Sequence, residues 1–141
     1  MLNNLTDEKI EFLTEKAKEI RISIIEMLVS AGSGHSAGPL GMADIFTALY
    51  FYILRHNPEE PFWEERDRLI LSNGHINPVL YATLAHVGYF PVKELITLRK
   101  FESRLQGHPH REFLPILETS SGPLGAGLSQ AVGMAIADRM D

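Results

Sequence analysis

The stretch "DRLILSNGHINP" (residues 67–78) decides how this chain is read. Within it, "RLILS" (68–72) is a short apolar run bounded by charge on one side and Asn-Gly on the other. Such a run fits a strand buried in a parallel sheet. His75 then falls just past the strand's carboxyl end, the edge at which open α/β sheets bind ligands. Pro78 suits the start of a following helix, 78–87, which Gly88 closes.

Working outward, Ile10, Leu13, Ala17, Ile20, Ile24, Met27 and Ala31 recur at steps of three and four, one face of an amphipathic helix. Thr6 suits its N-cap, and Gly32-Ser33-Gly34 stops it. Pro39 fits the first turn of a second helix, 39–54, apolar nearly all round and so expected to be buried on most sides. Pro91 opens a helix over 91–101, and 102–112 reads as loop. "FLPILE" (113–118) reads as an edge strand or an extended passage, because Pro115 cannot donate to a ladder. Residues 124–140 form a helix dense in small residues. Its interior glycines each cost about 1 kcal/mol against alanine, so a close approach by another backbone or a ligand is expected. The fold class is α/β: a mostly helical portion with a parallel sheet, incomplete because no strand follows the last helix.

The 141 residues suit one domain, and 13 basic against 18 acidic residues leave a net charge of −5. That balance points away from nucleic acid and anionic membranes. No cysteine is present, which excludes disulfides and thiolate metal sites. Apolar runs are broken well before the length of a membrane span. Asp7, Glu8, Glu11, Glu15 and Glu19 make residues 1–20 unlike a targeting peptide, so a cytoplasmic protein is expected.

Chemistry concentrates in glycine-rich segments. "GSGHSAGPLGMAD" (32–44) carries His35, "LSNGHINP" carries His75, and "LQGHPH" carries His108. Glycine before each histidine lets the backbone approach a ligand, and imidazole can donate to an anion or move a proton near neutral pH. No short His-x₃-His step anchors a zinc pair, and no metal ligand is assigned in this chain. His56 and His86 read as surface or packing residues, and His110 as a rim residue. In "SSGPLGAGLSQ" (120–130) a loop enters a helix, where backbone N–H groups can meet a phosphate or a ring nitrogen. A nucleotide P-loop is excluded, since Gly-Lys-Ser/Thr is absent.

Together these segments resemble the N-terminal part of transketolase. "SGHSAGPLGMADIFTALY" (33–50), "DRLILSNGHINPVLYATL" (67–84), "GHP" (107–109) and "ETSSGPLGAGLSQAVGMAIADR" (118–139) occur in family order at family-like spacing. The resemblance implies that residues 1–141 are the N-terminal part of a thiamine diphosphate-binding domain. It implies transfer of a two-carbon ketol unit between sugar phosphates, with thiamine diphosphate and a divalent cation, Mg2+. His35 and His108 would be catalytic, the first over the reactive carbon and the second at the donor's hydroxyl groups. His75 would hydrogen-bond the diphosphate. The backbone of Gly122 and Leu124 would touch the aminopyrimidine, with Pro123 fixing the turn.

The family's Gly-Asp-Gly and asparagine cation ligands, and the glutamate that activates the cofactor, are not in this sequence, and Pro78 departs from the family pattern. The chain therefore reads as an apparently truncated N-terminal subunit of a split transketolase, inactive alone. Its partners would be a C-terminal subunit or the remainder of the enzyme, in a homo- or hetero-oligomer. Alternatives are dihydroxyacetone synthase, deoxyxylulose-phosphate synthase, which Gly-Pro-Leu-Gly after His35 disfavours, and a non-catalytic fragment or assembly subunit.

Overall fold

The computed structural model describes residues 5–140. Four α-helices carry it: α1 (Asp7–Ala31), α2 (Ala37–Ala48), α3 (Asn77–His86) and α4 (Ala126–Met140). Thr6 caps α1 by accepting the Lys9 N–H at 3.3 Å. Gly32, at φ +63°, ends α1 by donating to the carbonyls of Leu28 and Val29. This left-handed close is one that glycine makes at little steric cost.

The second helix is shorter than its apolar run. It passes at Leu49–Ile53 into a π-helical turn, closed by a bond from the Leu54 N–H to the Leu49 carbonyl. Only one side of α2 is buried, through Pro39, Ala43, Phe46 and Thr47. Ile45 and Ile53 remain about half exposed, at 51% and 48%. The expectation of burial on most sides is corrected accordingly.

The core centres on α3, where every residue from Asn77 to Ala85 is buried. Ile20, Ile24 and Met27 of α1, Phe46 of α2, and Leu95, Leu98, Leu105, Leu114 and Leu117 of the loops pack in the same cluster. Each fully buried aliphatic or aromatic side chain contributes about 1.5–3 kcal/mol relative to exposure.

Three expectations are corrected. Residues 68–72 run irregularly rather than as a strand. A ladder needs a neighbouring backbone, and among the described residues no strand is formed, so no parallel sheet is seen. The apolar run instead packs by its side chains, Leu71 being buried. Residues 113–118 form turns rather than an edge strand, with Leu114 N–H bound to the His110 carbonyl and Leu117 N–H to that of Leu114. The helix expected over 91–101 is a short 3₁₀ segment, Val92–Thr97. It ends where Arg99 and Glu102 adopt φ of +60° and +61°, a region a right-handed helix does not use.

Candidate functional site

His35 lies in the exposed loop between α1 and α2, and His75 in the 3₁₀ turn Gly74–Ile76 that leads into α3. Their rings meet edge to face, with centroids 5.2 Å apart and planes at 72°. Glycine makes this approach possible. A Cβ on Gly38 would lie 2.7 Å from Ile76 Cγ2, so the start of α2 nests against the turn that carries His75.

A third segment closes on the same turn. A Cβ on Gly74 would fall 2.9 Å from the carbonyl carbon, the carbonyl oxygen and Oγ of Ser121. Gly122 has open space where a Cβ would point. Pro123 and Leu124 are exposed, Leu124 at 73%.

The fourth segment holds His108, whose residue is exposed. The Ser121 N–H donates to the Pro109 carbonyl at 3.0 Å, and the Arg111 N–H to Ser120 Oγ at 3.0 Å. Asn77 Nδ2 and the Tyr81 hydroxyl both donate to the Gln106 carbonyl, at 2.8 and 3.1 Å. His35 and His75 are thus in ring contact, and Ser121 lies against Gly74, the residue before His75. His108 joins them through the backbone on either side of it.

The start of α4 carries a correction. The sequence predicts that N–H groups at this junction can meet a phosphate or a ring nitrogen, and from Gly125 to Leu128 they do not. Instead Ser72 Oγ accepts from the N–H of Gly125 at 3.0 Å and of Gly127 at 3.2 Å. The Ala126 and Leu128 N–H groups turn back to the Pro123 and Gly125 carbonyls. The helix is capped from another segment, and these donors are spent. Sequence reading passed over Ser72, because nothing in its spacing marks it as a cap for a helix more than fifty residues later.

The loop entering the site is anchored below. Glu118 accepts two bonds from Arg66, at 2.9 and 3.0 Å, and a longer one from Arg68 at 3.5 Å. The Arg66 and Glu118 side chains are only 10% and 12% exposed. Beside them lies a cavity of about 30 Å³, also lined by Tyr50, His56 and Tyr89. His56 Nε2 lies 2.6 Å from the Tyr50 carbonyl, which can only accept, so Nε2 donates there, and Nδ1 lies 3.2 Å from the Tyr89 hydroxyl. His86 Nε2 meets Ser23 Oγ at 2.9 Å. Both histidines pack, as expected. His110 packs on Phe113, and its buried Nδ1 has no partner.

Ser121 Oγ is the second buried side-chain atom without a partner. An unmade bond at a buried hydroxyl costs about 1–3 kcal/mol, and this one lies at the seam with Gly74, next to the open face of Gly122. The residues present leave one polar group without a partner next to the His75 turn. They do not supply a cation ligand set: among the described residues, no three His, Asp or Glu side chains gather so as to hold a metal ion. No helix among them is long and apolar enough to cross a membrane.

The class of domain is given by comparison with known families. Residues 13–141 match the family described as transketolase, thiamine diphosphate binding domain, and the chain belongs to that family. It is 48% identical over 126 residues to the transketolase of Buchnera aphidicola, covering 89% of this chain and 19% of that protein. Transketolase from Leishmania mexicana superposes with a TM-score of 0.85 at 37% identity, over 89% of this chain and 19% of its own. A Pichia stipitis transketolase in complex with sedoheptulose-7-phosphate gives 0.84 at 37%, over 89% and 18%. The chain thus spans about a fifth of the length of these relatives.

Proposed function

We propose that this chain forms the diphosphate side of a transketolase active site, in an enzyme that moves a two-carbon ketol unit between sugar phosphates. The observation that carries the reading is the contact of His35 with His75 beside the unpartnered Ser121 hydroxyl. Thiamine diphosphate, when bound, supplies the carbanion chemistry that allows a carbon–carbon bond next to a carbonyl to be broken and remade.

The chain's own residues bind, orient and move protons. His75, half-buried at the mouth of α3, donates a hydrogen bond to the diphosphate. Gly122 and Leu124 offer main-chain groups to the aminopyrimidine, and Pro123 holds their turn. His35 and His108, both exposed to the substrate side, exchange protons with the sugar's hydroxyl and carbonyl oxygens. The Mg2+ ligands lie in the remainder of the enzyme, which also completes an oligomer around the site. Sugar phosphates are anions that do not cross membranes unaided, which suits a cytoplasmic enzyme.

The test uses the full-length protein, with calorimetry for thiamine diphosphate in the presence of Mg2+ and a ketol-transfer assay. His35→Ala should lower turnover by a factor of about 10²–10⁴ while leaving the cofactor Kd nearly unchanged. His75→Ala should instead raise the cofactor concentration needed for half activity. Equal effects of the two changes on cofactor binding would refute the separate roles.

A further inference from the structure

Arg99 belongs to none of the glycine-histidine motifs, yet it bridges two of the loops that hold them. One guanidinium nitrogen donates to Ser33 Oγ at 3.2 Å, two residues before His35. The same guanidinium lies across Gly107, the residue before His108. A Cβ there would fall 2.9 Å from Nε and 3.2 Å from Cζ and from Nη2. The guanidinium occupies the space a side chain at 107 would take, and any Cβ there would push it aside.

The backbone around Arg99 is fixed independently. Leu98 and Leu105 are buried at 1% and 0%, and the Arg99 N–H donates to the Leu105 carbonyl at 2.9 Å. Alongside, Lys100 Nζ donates to Ser30 Oγ at 2.9 Å, and Ser30 Oγ donates to the Ile96 carbonyl at 2.9 Å. Residues 96–100 are thus tied to the end of α1, immediately before the His35 loop.

Arg99 adopts φ +60°. Glycine would hold that conformation with less strain, so the backbone gives no reason for arginine here. The reason lies in the side chain. Its fork presents several N–H donors in a fixed plane, so it can sit beside Gly107 while donating to Ser33, a reach that a single lysine ammonium does not reproduce.

We propose that Arg99 is a positioning residue that fixes the spacing of His35 and His108, through a guanidinium laid on Gly107 and bonded to Ser33. The proposal rests on the reading that these two histidines serve ketol transfer.

The experiment compares Arg99→Gly, Arg99→Lys, Ser33→Ala and the double variant Arg99→Gly/Ser33→Ala in the full-length protein. Arg99→Gly should melt no lower than the parent, because it relieves the backbone. It should nevertheless lose about tenfold in kcat, since a misplaced group slows the reaction without weakening binding, and KM and cofactor affinity should change little. Arg99→Lys should recover part of that loss. The double variant should be no slower than Arg99→Gly alone. In [13C]histidine-labelled protein without cofactor, the ring signals of both His35 and His108 should move in Arg99→Gly. Unmoved ring signals, a parallel fall of stability and activity, or additive effects in the double variant would each overturn the proposal. A parent enzyme without ketol transfer would sink the functional reading instead, and the ring signals would still decide the role of Arg99.

Discussion

Two glycines of α4 should respond oppositely to alanine. Both Gly127→Ala and Gly133→Ala gain about 1 kcal/mol from intrinsic helix propensity. At Gly133 a Cβ meets nothing within 4 Å, so that gain stands. At Gly127 it lands 2.7 Å from Ser72 Cα and Cβ and 3.0 Å from Ser72 N. Carbon atoms normally rest about 3.5–4.0 Å apart, so α4 must retreat by roughly 1 Å. The retreat strains packing by about 1–3 kcal/mol. It also draws the Gly125 and Gly127 N–H groups off Ser72 Oγ, bonds of 3.0 and 3.2 Å. Each such bond contributes about 1 kcal/mol net. After the propensity gain, Gly127→Ala should lose about 2–4 kcal/mol and Gly133→Ala should gain about 1 kcal/mol. Urea unfolding followed by far-ultraviolet circular dichroism reads both. Equal stability of the two variants would show that α4 does not seat on Ser72.

Glu118→Gln should cost about 3–5 kcal/mol in the same assay, because it leaves Arg66 buried without its countercharge. Arg66→Met combined with Glu118→Leu should recover most of that loss, and a double variant as unstable as the single would refute the explanation. Burial holds the His86 imidazole below its ordinary range, against the pull of Glu19. As pH falls past about 6.5 the unfolded chain takes up this proton before the folded one. Stability is therefore complete above that pH and declines as pH drops toward the lowered folded value. Melting temperatures at about pH 7.5 and 5.5 should fall less for His86→Gln than for the parent, and an equal fall would dismiss His86 as the source.

What the sequence made legible was local. Thr6 and Gly32 mark the ends of α1 because capping depends on neighbouring residues alone. The start of α3 follows from Pro78 for the same reason. What stayed hidden depends on distant partners. An apolar run such as 68–72 fits a strand and a buried irregular passage equally, since only a second backbone distinguishes them. Arg99 carries no periodic or motif signal, because its importance lies in reaching Ser33 across 66 positions. The repeated Gly-His pairs mark His35, His75 and His108, and "SSGPLG" marks the 120–125 segment, while the capping role of Ser72 and the buried, unpartnered hydroxyl of Ser121 emerge only when the loops are seen touching.

The glycines invited one explanation in the sequence and receive two in the fold. Clustered around histidines, they suggested a backbone opened to admit a ligand. Gly38, Gly74, Gly107 and Gly127 instead face Ile76, Ser121, Arg99 and Ser72, so that an added Cβ would force a neighbour to move, most easily at the flexible Arg99. Their absent side chains let these segments nest against one another, and the first three lie beside the stretches that carry His35, His75 and His108. Gly122 differs, because nothing of the described chain occupies the space before it. The motif "SSGPLG" therefore divides its labour by position. Ser121 seals against Gly74, the amides from Gly125 onward are used by the helix and Ser72, and the turn at Gly122 is left with its face open. A Gly74→Ala substitution should lower stability by displacing the Ser121 loop, whereas Gly122→Ala, which meets nothing of the described chain, should leave the melting temperature nearly unchanged; equal losses in urea unfolding would refute this division.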